Sequence, residues 1–146
     1  MKGLMQDWPL TLDRIIDHAA SWHGETHIVG RNADRTVSRT TYGALQSRAR
    51  QLSVALRAMG MQPGDRIATL AWNTPDHMAL WYGTVGMGAI CHTLNPRHSI
   101  DQLTYIINHA QDRVIFVDVS FFPLLRDNLA RIPSVERLFQ VSVSYM

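Results

Sequence analysis

The sequence is poor in cysteine and in long apolar runs, and each shortage excludes a class of protein. Its 146 residues include one cysteine, Cys91, which excludes a disulfide framework and suits a reducing cytoplasm, the compartment we expect. No apolar run approaches the roughly eighteen residues of a membrane span, so we expect no transmembrane segment. Near the N-terminus, Asp7 and Pro9 interrupt the apolar core that a secretory signal needs, so none is expected.

The sequence also has no large excess of positive over negative residues. The chain has 14 Lys and Arg against 12 Asp and Glu, a formal net charge of +2, and a sequence pI of about 9.0. Its arginines are scattered and form no run of like charge, so we expect no nucleic-acid partner. Hydrophobic residues make up 46% of the chain, which is enough for a buried core in one domain.

The glycine-rich motifs that bind phosphate are absent or altered. No G-x-x-x-x-G-K-[ST] loop occurs in the sequence. Gly83, Gly86 and Gly88 follow a helix pattern and precede a strand pattern, which is the reverse of a dinucleotide-binding fingerprint. We therefore expect these glycines to serve a tight turn and a close approach of helix to sheet.

Metal-binding and nucleophile motifs are incomplete as well. In His23-Gly-Glu-Thr-His27 the acidic residue Glu25 is third rather than second, and Gly24 would end a helix there, so no zinc site is expected. No G-x-S-x-G elbow occurs. Cys91 and His92 are neighbours in a strand pattern and would point to opposite faces, so they cannot form a nucleophile–base pair. Cys91 is expected to fill the core, and most other histidines to be exposed or hydrogen-bonded.

Residues 1–40 are expected to form a helix followed by a small β-hairpin. Within residues 10–22, Thr11 can cap a helix, and one helical stripe is apolar. That stripe carries Leu12, Ile15, Ile16 and Ala19. Two β-like runs, Thr26–Arg31 and Arg35–Thr40, flank Asn32-Ala-Asp34, and this spacing is typical of a hairpin.

Residues 41–146 show alternating strand and helix patterns, which predict an α/β core. The central strands are continuously apolar, which favours a sheet covered on both faces and therefore parallel. We predict a doubly wound, mostly parallel sheet with flanking helices, which together with residues 1–40 forms one N-terminal subdomain. The predicted elements are a helix at Thr41–Met59, a strand at Arg66–Trp72, a helix from Thr74 and Pro75 to Gly86, a strand at Ala89–Leu94, a helix at Ser99–Ala110, a strand at Arg113–Asp118, a short helix between Pro123 and Pro133, and a strand at Leu138–Val143.

Some side chains carry more specific expectations. Ser99 and Gln102 match the capping box that begins a helix. The helix after Pro75 is expected to bury one stripe, made of Met78, Trp81, Tyr82 and Val85. Large buried area is expected from Trp8, Trp22, Trp72, Trp81 and Tyr82, with Trp72 and Trp81 packing helix against sheet.

Two aspartates lie near predicted strand ends, where open α/β sheets bind their ligands. Asp118 is the better functional candidate and Asp65 the weaker, although capping of the following helix, at Ser120 to Pro123, is the favoured role for Asp118. The residues alone therefore indicate an α/β domain without a complete active site. On this basis we assign no catalytic, cofactor-binding or metal-binding residue.

Five segments stand out by their order and spacing: Tyr42–Leu45, Gly60–Asn73, Trp81–Ala89, His92–Arg97 and Asp112–Asp118. Together they resemble the acyl-CoA synthetases of the adenylate-forming, AMP-binding superfamily, above all the medium- and long-chain fatty-acid–CoA ligases. The resemblance runs from residue 3 to residue 139. It implies the N-terminal subdomain of a ligase that activates a carboxylate with ATP as an acyl-adenylate and then transfers the acyl group to coenzyme A.

The resemblance also implies what this chain lacks. In that family the Ser/Thr/Gly-rich phosphate loop and the other catalytic motifs lie further along the sequence, and none of them occurs here. ATP, magnesium, coenzyme A and a fatty-acid substrate are therefore expected only in a full-length parent enzyme. This chain would be roughly its first quarter and inactive alone. The alternative is a stand-alone interaction module from that family, forming homo-oligomers through an uncovered sheet edge or apolar face.

Overall fold

The computed structural model describes residues 3–4, 7–32 and 35–141. The predicted helices and strands are present, with ends shifted slightly and the last helix divided in two. Residues 142 and 143, which were predicted to extend the last strand, lie outside the described residues. In chain order the elements are α1 (Leu12–His23), β1 (His27–Arg31), β2 (Val37–Thr41), α2 (Tyr42–Ala58), β3 (Arg66–Leu70), α3 (Pro75–Val85), β4 (Ile90–Thr93), α4 (Ile100–Ala110), β5 (Val114–Asp118), α5 (Phe122–Arg126), a 3₁₀ turn (Leu129–Arg131) and β6 (Arg137–Val141).

The main sheet has four strands in the order β4-β3-β5-β6, and each neighbouring pair is parallel. The chain leaves β3 for β4 on one side and then crosses to β5 on the other side of β3. This change of direction places helices on both faces of the sheet. The doubly wound parallel architecture is therefore confirmed.

Each strand of the sheet contributes side chains to two separate cores, because successive residues of a strand point to opposite faces. On one face Ile67 belongs to a cluster with Leu56 of α2 and Leu80 of α3. On the other face Ala68 belongs to a cluster with Leu103 of α4. The sheet is thus covered by α2 and α3 on one side and by α4 and α5 on the other.

Helix α1 and the hairpin lie outside this core. A third, smaller cluster of Ile16, Leu45 and Ala79 joins α1 to α2 and α3. Strands β1 and β2 pair antiparallel, as predicted, with His27 opposite Thr41. Strand β2 begins at Val37 rather than at Arg35, so the loop after β1 is the longer of the two lengths that the sequence allowed. The Asn32 amide donates to the Thr36 carbonyl at 2.9 Å. Residues 33 and 34 lie outside the described part of that loop.

The predicted capping signals are confirmed for α3 and α4, whereas Thr11 precedes α1 without making a side-chain cap hydrogen bond. The Ser99 amide donates to Gln102 Oε1 at 3.0 Å, and the Gln102 amide donates to Ser99 Oγ at 3.3 Å, which completes the capping box. Thr74 Oγ1 accepts from the His77 amide at 3.2 Å, with Pro75 in the first helical position. These local bonds fix where α3 and α4 begin.

The prediction for the buried face of α3 was wrong. The buried residues of this helix are Pro75, Ala79, Leu80, Gly83 and Thr84. The physical reason is that α3 packs tightly on α2 through small side chains. The predicted stripe of Met78, Trp81, Tyr82 and Val85 is only half-buried.

The expected burial of three tryptophans was also wrong. Trp8, Trp22 and Trp72 are 43%, 75% and 43% exposed. In α1 only Ile16 of the predicted stripe is buried, because the helix lies on the outside of α2 and α3 and touches them along one narrow line. The periodicity of the sequence predicted the helix correctly but overestimated how many of its apolar side chains are buried against the other elements.

Candidate functional site

A cleft lies at the carboxyl ends of β3 and β4, the edge where open α/β sheets bind ligands. It consists of two adjoining cavities of about 460 and 380 Å³ that share Asn73, His77 and Thr93. The larger cavity continues along the half-buried stripe of α3. The smaller one is bounded by the turns that follow the two strands. Beyond the shared residues the lining is Thr74, Met78, Trp81 and Tyr82 in the larger cavity, and Ala71, Trp72, Leu94, Asn95 and Pro96 in the smaller.

The point where the sheet changes winding direction, between β3 and β5, is occupied by aromatic side chains. The rings of Trp72 and Phe121 pack with their centroids 5.1 Å apart. Trp72 follows β3 and Phe121 follows β5, so the pair covers the position where a doubly wound sheet usually binds its ligand. The open space therefore lies beside it, between β3 and β4.

His77 is the central polar group of the cleft. Its Nε2 atom lies 2.9 Å from the hydroxyl oxygen of Thr69, which is fully buried on β3. Burial lowers the pKa of His77 below its ordinary value of 6.5, and a hydrogen bond to the Trp72 backbone opposes this only in part. The Nε2 atom of this imidazole is therefore engaged by Thr69 and is not free to bind a ligand. The expectation of a satisfied histidine holds for His77.

Cys91 belongs to the same hydrogen-bonded group. Burial raises the pKa of its thiol to about 11, and a hydrogen bond with the Thr69 side chain offsets the effect only in part. The thiol is half-buried and stays protonated at neutral pH, so it is a poor nucleophile and a poor metal ligand. The prediction that Cys91 fills the core was wrong, because β4 is an edge strand of the described sheet and Cys91 belongs to none of the core clusters.

Sequence reasoning missed a hydrogen-bonded pair, His92 and Asp112, on the other face of β4. His92 Nδ1 lies 2.8 and 3.0 Å from the two carboxylate oxygens of Asp112, whose side chain is fully buried. Burial raises the pKa of Asp112, while the hydrogen bond and charge of His92 and the charge of Arg66 offset part of this rise. The pair ties β4 to the turn between α4 and β5. No spacing rule signals a contact between residues 20 positions apart in sequence.

The two candidate aspartates lie at opposite ends of the sheet. Asp118 is buried at the carboxyl end of β5, and its Oδ1 accepts from the Ser120 amide at 2.9 Å. The prediction that it caps the following helix was wrong, because Phe121 is the N-cap residue of α5 and no side chain caps that helix. Asp65 precedes β3 at the amino end, where it accepts from the Gln62 amide at 2.7 Å and pairs with Arg113. The fold does not bring these carboxylates together.

The glycine pattern serves packing, although not the packing that was predicted. A Cβ atom on Gly83 would lie 2.7 Å from Leu52 Cδ2 and 2.8 Å from the carbonyl oxygen of Ala49, both on α2. The close approach is therefore between two helices rather than between helix and sheet. Gly88 has a φ of 87° and makes the turn into β4, as expected of it.

The described residues were also compared with the requirements for metal binding and for spanning a membrane. Among them no group of three or more His, Cys, Asp or Glu side chains could hold a metal ion. His23 ends α1 and His27 begins β1, so these two histidines do not share a helix. Within the same part of the chain, no helix is long and apolar enough to cross a membrane.

Comparison with known proteins gives a consistent result. The model of the AMP-binding enzyme family matches residues 16–144. The 3-methylmercaptopropionyl-CoA ligase of Ruegeria lacuscaerulensis is 49% identical over 135 residues, which are 90% of this chain and 25% of that protein. The medium-chain-fatty-acid–CoA ligase of Ectopseudomonas oleovorans is 39% identical over 136 residues, which are 93% of this chain and 25% of that protein. The chain thus spans about a quarter of the length of these relatives.

Among solved structures, an anthranilate CoA ligase in complex with anthranoyl-AMP has the same fold. The two superpose with a TM-score of 0.82 at 21% sequence identity, covering 94% of this chain and 27% of that one. At this identity the likeness concerns the fold alone.

Proposed function

The chain belongs to the AMP-binding enzyme family and corresponds to the N-terminal portion of its acyl-CoA ligases, and we propose that it builds the N-terminal subdomain of such a ligase without catalysing the reaction alone. The observation that carries this proposal is the family match over residues 16–144, together with 49% identity to one CoA ligase across 90% of the chain. The parent reaction joins a carboxylic acid to coenzyme A with ATP. An apolar, short- to medium-chain acid is the proposed substrate, because both relatives described above are named for acids of that kind.

The chemistry of that reaction sets clear demands. The acid's carboxylate attacks the α-phosphate of ATP, and the thiol of coenzyme A then displaces AMP from the acyl-adenylate. The first step needs groups that stabilise the charge on the phosphates, such as a metal ion, a lysine or a row of backbone amides. The residues that line the cleft include no Lys, Arg, Asp or Glu. The cleft of this chain therefore supplies no charged side chain that could stabilise the phosphates.

The proposed contribution of the chain is structural. Thr69 of β3 hydrogen-bonds with His77 of α3 and with Cys91 of β4, and these bonds join the three elements. The Trp72–Phe121 pair and the apolar stripe of α3 present aromatic surface at that edge. Such a surface suits contact with further polypeptide of a larger enzyme.

Acid-dependent exchange of labelled pyrophosphate into ATP tests this proposal. The isolated chain is incubated with ATP, magnesium and a series of short- and medium-chain acids, beside the full-length R. lacuscaerulensis ligase as the active control. We expect exchange from the control and none above background from the chain. Exchange that requires both the acid and the chain would contradict the proposal.

A further inference from the structure

Asp112 is an acidic residue without solvent contact. It lies in the turn between α4 and β5, and its exposed fraction is 0%. A buried carboxylate is unfavourable unless a cation and hydrogen bonds compensate its charge. Its hydrogen-bond partner is Nδ1 of His92 on β4, which lies 2.8 and 3.0 Å from the two carboxylate oxygens. The buried charge thus depends on a side chain that is cationic only when it is protonated.

A second cation lies against the same turn. Arg66 Nη2 on β3 donates to Oε1 of Gln111, the residue before Asp112, at 3.2 Å. The charge of Arg66 also acts on the Asp112 carboxylate. Arg66 Nε is buried, and among the described residues it meets no hydrogen-bond acceptor. Because a buried N–H group without an acceptor is unfavourable, this donor favours any rearrangement that brings the carboxylate to it.

The charged groups that act on Asp112 come from two strands, His92 from β4 and Arg66 from β3. Burial raises the pKa of Asp112, and the hydrogen bond and charge of His92 and the charge of Arg66 offset part of this rise. Arg113, which follows Asp112 in the chain, is turned to other carboxylates, those of Asp65 and Glu136. Two cations on neighbouring strands therefore compete for one buried carboxylate, and in the present structure His92 binds it.

We propose that these three residues form a pH-dependent switch, in which Asp112 exchanges His92 for Arg66 Nε as its hydrogen-bond partner when His92 gives its proton to solvent. Protonated His92 donates a charge-assisted hydrogen bond, which is about twice as strong as a neutral one. The neutral imidazole loses this advantage, whereas the guanidinium keeps its charge throughout the physiological pH range. The buried carboxylate then turns to the cation that remains.

The exchange changes the strand to which the α4–β5 turn is joined. While Asp112 binds His92, the turn is joined to β4, the edge strand of the described sheet, which leads into Leu94 and Asn95 at the cleft. When Asp112 binds Arg66, the turn is joined to β3, and β4 loses this side-chain bond. The position of β4 beside the cleft then depends on its backbone pairing with β3.

NMR titration of the ¹⁵N-labelled chain follows both partners at once. The ring nitrogens of His92 report its protonation, and the Arg66 Nε–H group reports its hydrogen bond. We expect the Arg66 Nε–H proton to shift downfield as the pH rises from about 5 to 8.5, with the same midpoint as the His92 ring. His92→Gln keeps a side-chain donor for Asp112 but does not titrate, so the shift should disappear. His77→Gln is the matched control, because it removes a half-buried histidine on the opposite face of the sheet and should leave the shift unchanged.

The unaltered chain is sufficient for the test if a variant does not fold, which circular dichroism checks. An Arg66 Nε–H signal that stays constant while His92 titrates overturns the switch. A shift whose midpoint differs from that of His92, or one that persists in folded His92→Gln, also overturns it, because the carboxylate would then respond to another group. Asp112→Asn removes the charge for which the two cations compete, so a shift that survives in this folded variant has the same consequence.

Discussion

His77 and Thr69 lie eight positions apart in sequence, and in the folded chain His77 Nε2 is 2.9 Å from the Thr69 hydroxyl oxygen. This contact joins the first turn of α3 to the strand from which the chain has just emerged. It gives the hydroxyl of a fully buried threonine a partner, while burial lowers the pKa of the imidazole. The central polar group of the cleft is therefore part of the scaffold, and its contribution to the free energy of unfolding can be measured directly.

The first prediction concerns pH. Since burial lowers the pKa of His77 in the folded chain, the unfolded state takes up this proton first as the pH falls. The contribution of His77 to stability is thus complete above the unfolded pKa of about 6.5 and is lost as the pH falls below it. We expect the urea midpoint to decrease more steeply between pH 7.5 and 5 in the unaltered chain than in His77→Gln. Equal slopes in the two proteins would show that His77 does not titrate with folding.

The second prediction compares two buried threonines. Thr69→Val leaves His77 and Cys91 without their shared partner, so we expect a loss of about 1–3 kcal/mol in the free energy of unfolding. Thr84 is the matched control, because its hydroxyl is also fully buried but has no hydrogen-bond partner. Thr84→Val should be neutral or stabilising in the same urea experiment. Equal losses at the two positions would contradict the role given to the Thr69 hydroxyl.

The third prediction concerns the contact between α2 and α3. Gly83→Ala should destabilise the chain by about 1–3 kcal/mol, although alanine is the better helix former. The added methyl group meets the backbone carbonyl of Ala49, which cannot move aside as a side chain can. Gly43→Ala is the milder comparison, because its Cβ would lie 3.3 Å from the nearest atom, the Gly24 carbonyl oxygen. Thermal unfolding that ranks Gly43→Ala as the more damaging change would refute this packing argument.

The fourth prediction concerns thiol reactivity. With a pKa of about 11 against an ordinary 9.0, the Cys91 thiol has about a hundredfold less thiolate at neutral pH than a free cysteine. Alkylation by iodoacetamide should therefore be much slower in the native chain than in urea, and should accelerate as the pH rises. Because the chain has one cysteine, the rate reports on this site alone. Equal rates in the native and unfolded chain would contradict the buried environment of Cys91.

Much of the fold could be predicted because its signals are local. The capping box of Ser99 and Gln102, the Thr74–Pro75 helix start and the turn at Gly88 each depend on a few neighbouring residues. The continuous apolar strands predicted a sheet covered on both faces. The five family segments then predicted the same fold as the solved ligase.

The errors arose where a side chain's environment depends on distant elements. The buried face of α3 is set by the small residues that meet α2, and helical periodicity does not distinguish this face from the larger apolar stripe beside it. The His92–Asp112 pair forms only because the α4–β5 turn returns to β4. The exposure of Trp22 and Trp72 likewise depends on how the helices and strands pack around them. None of these contacts leaves a spacing signal in the sequence.

The most direct test of the central claim is a chimera in which this chain replaces the corresponding first quarter of the R. lacuscaerulensis ligase. The measurement is acyl-CoA formation from ATP, coenzyme A and the acid. A second chimera carries the matching quarter of the E. oleovorans ligase, which is 39% identical to the present chain. It is the control for the effect of replacing this quarter with the same segment of another ligase. If the chain is the N-terminal subdomain of an acyl-CoA ligase, the folded chimera should form the thioester at a rate within about tenfold of the control chimera. A folded chimera without activity beside an active control would contradict this account.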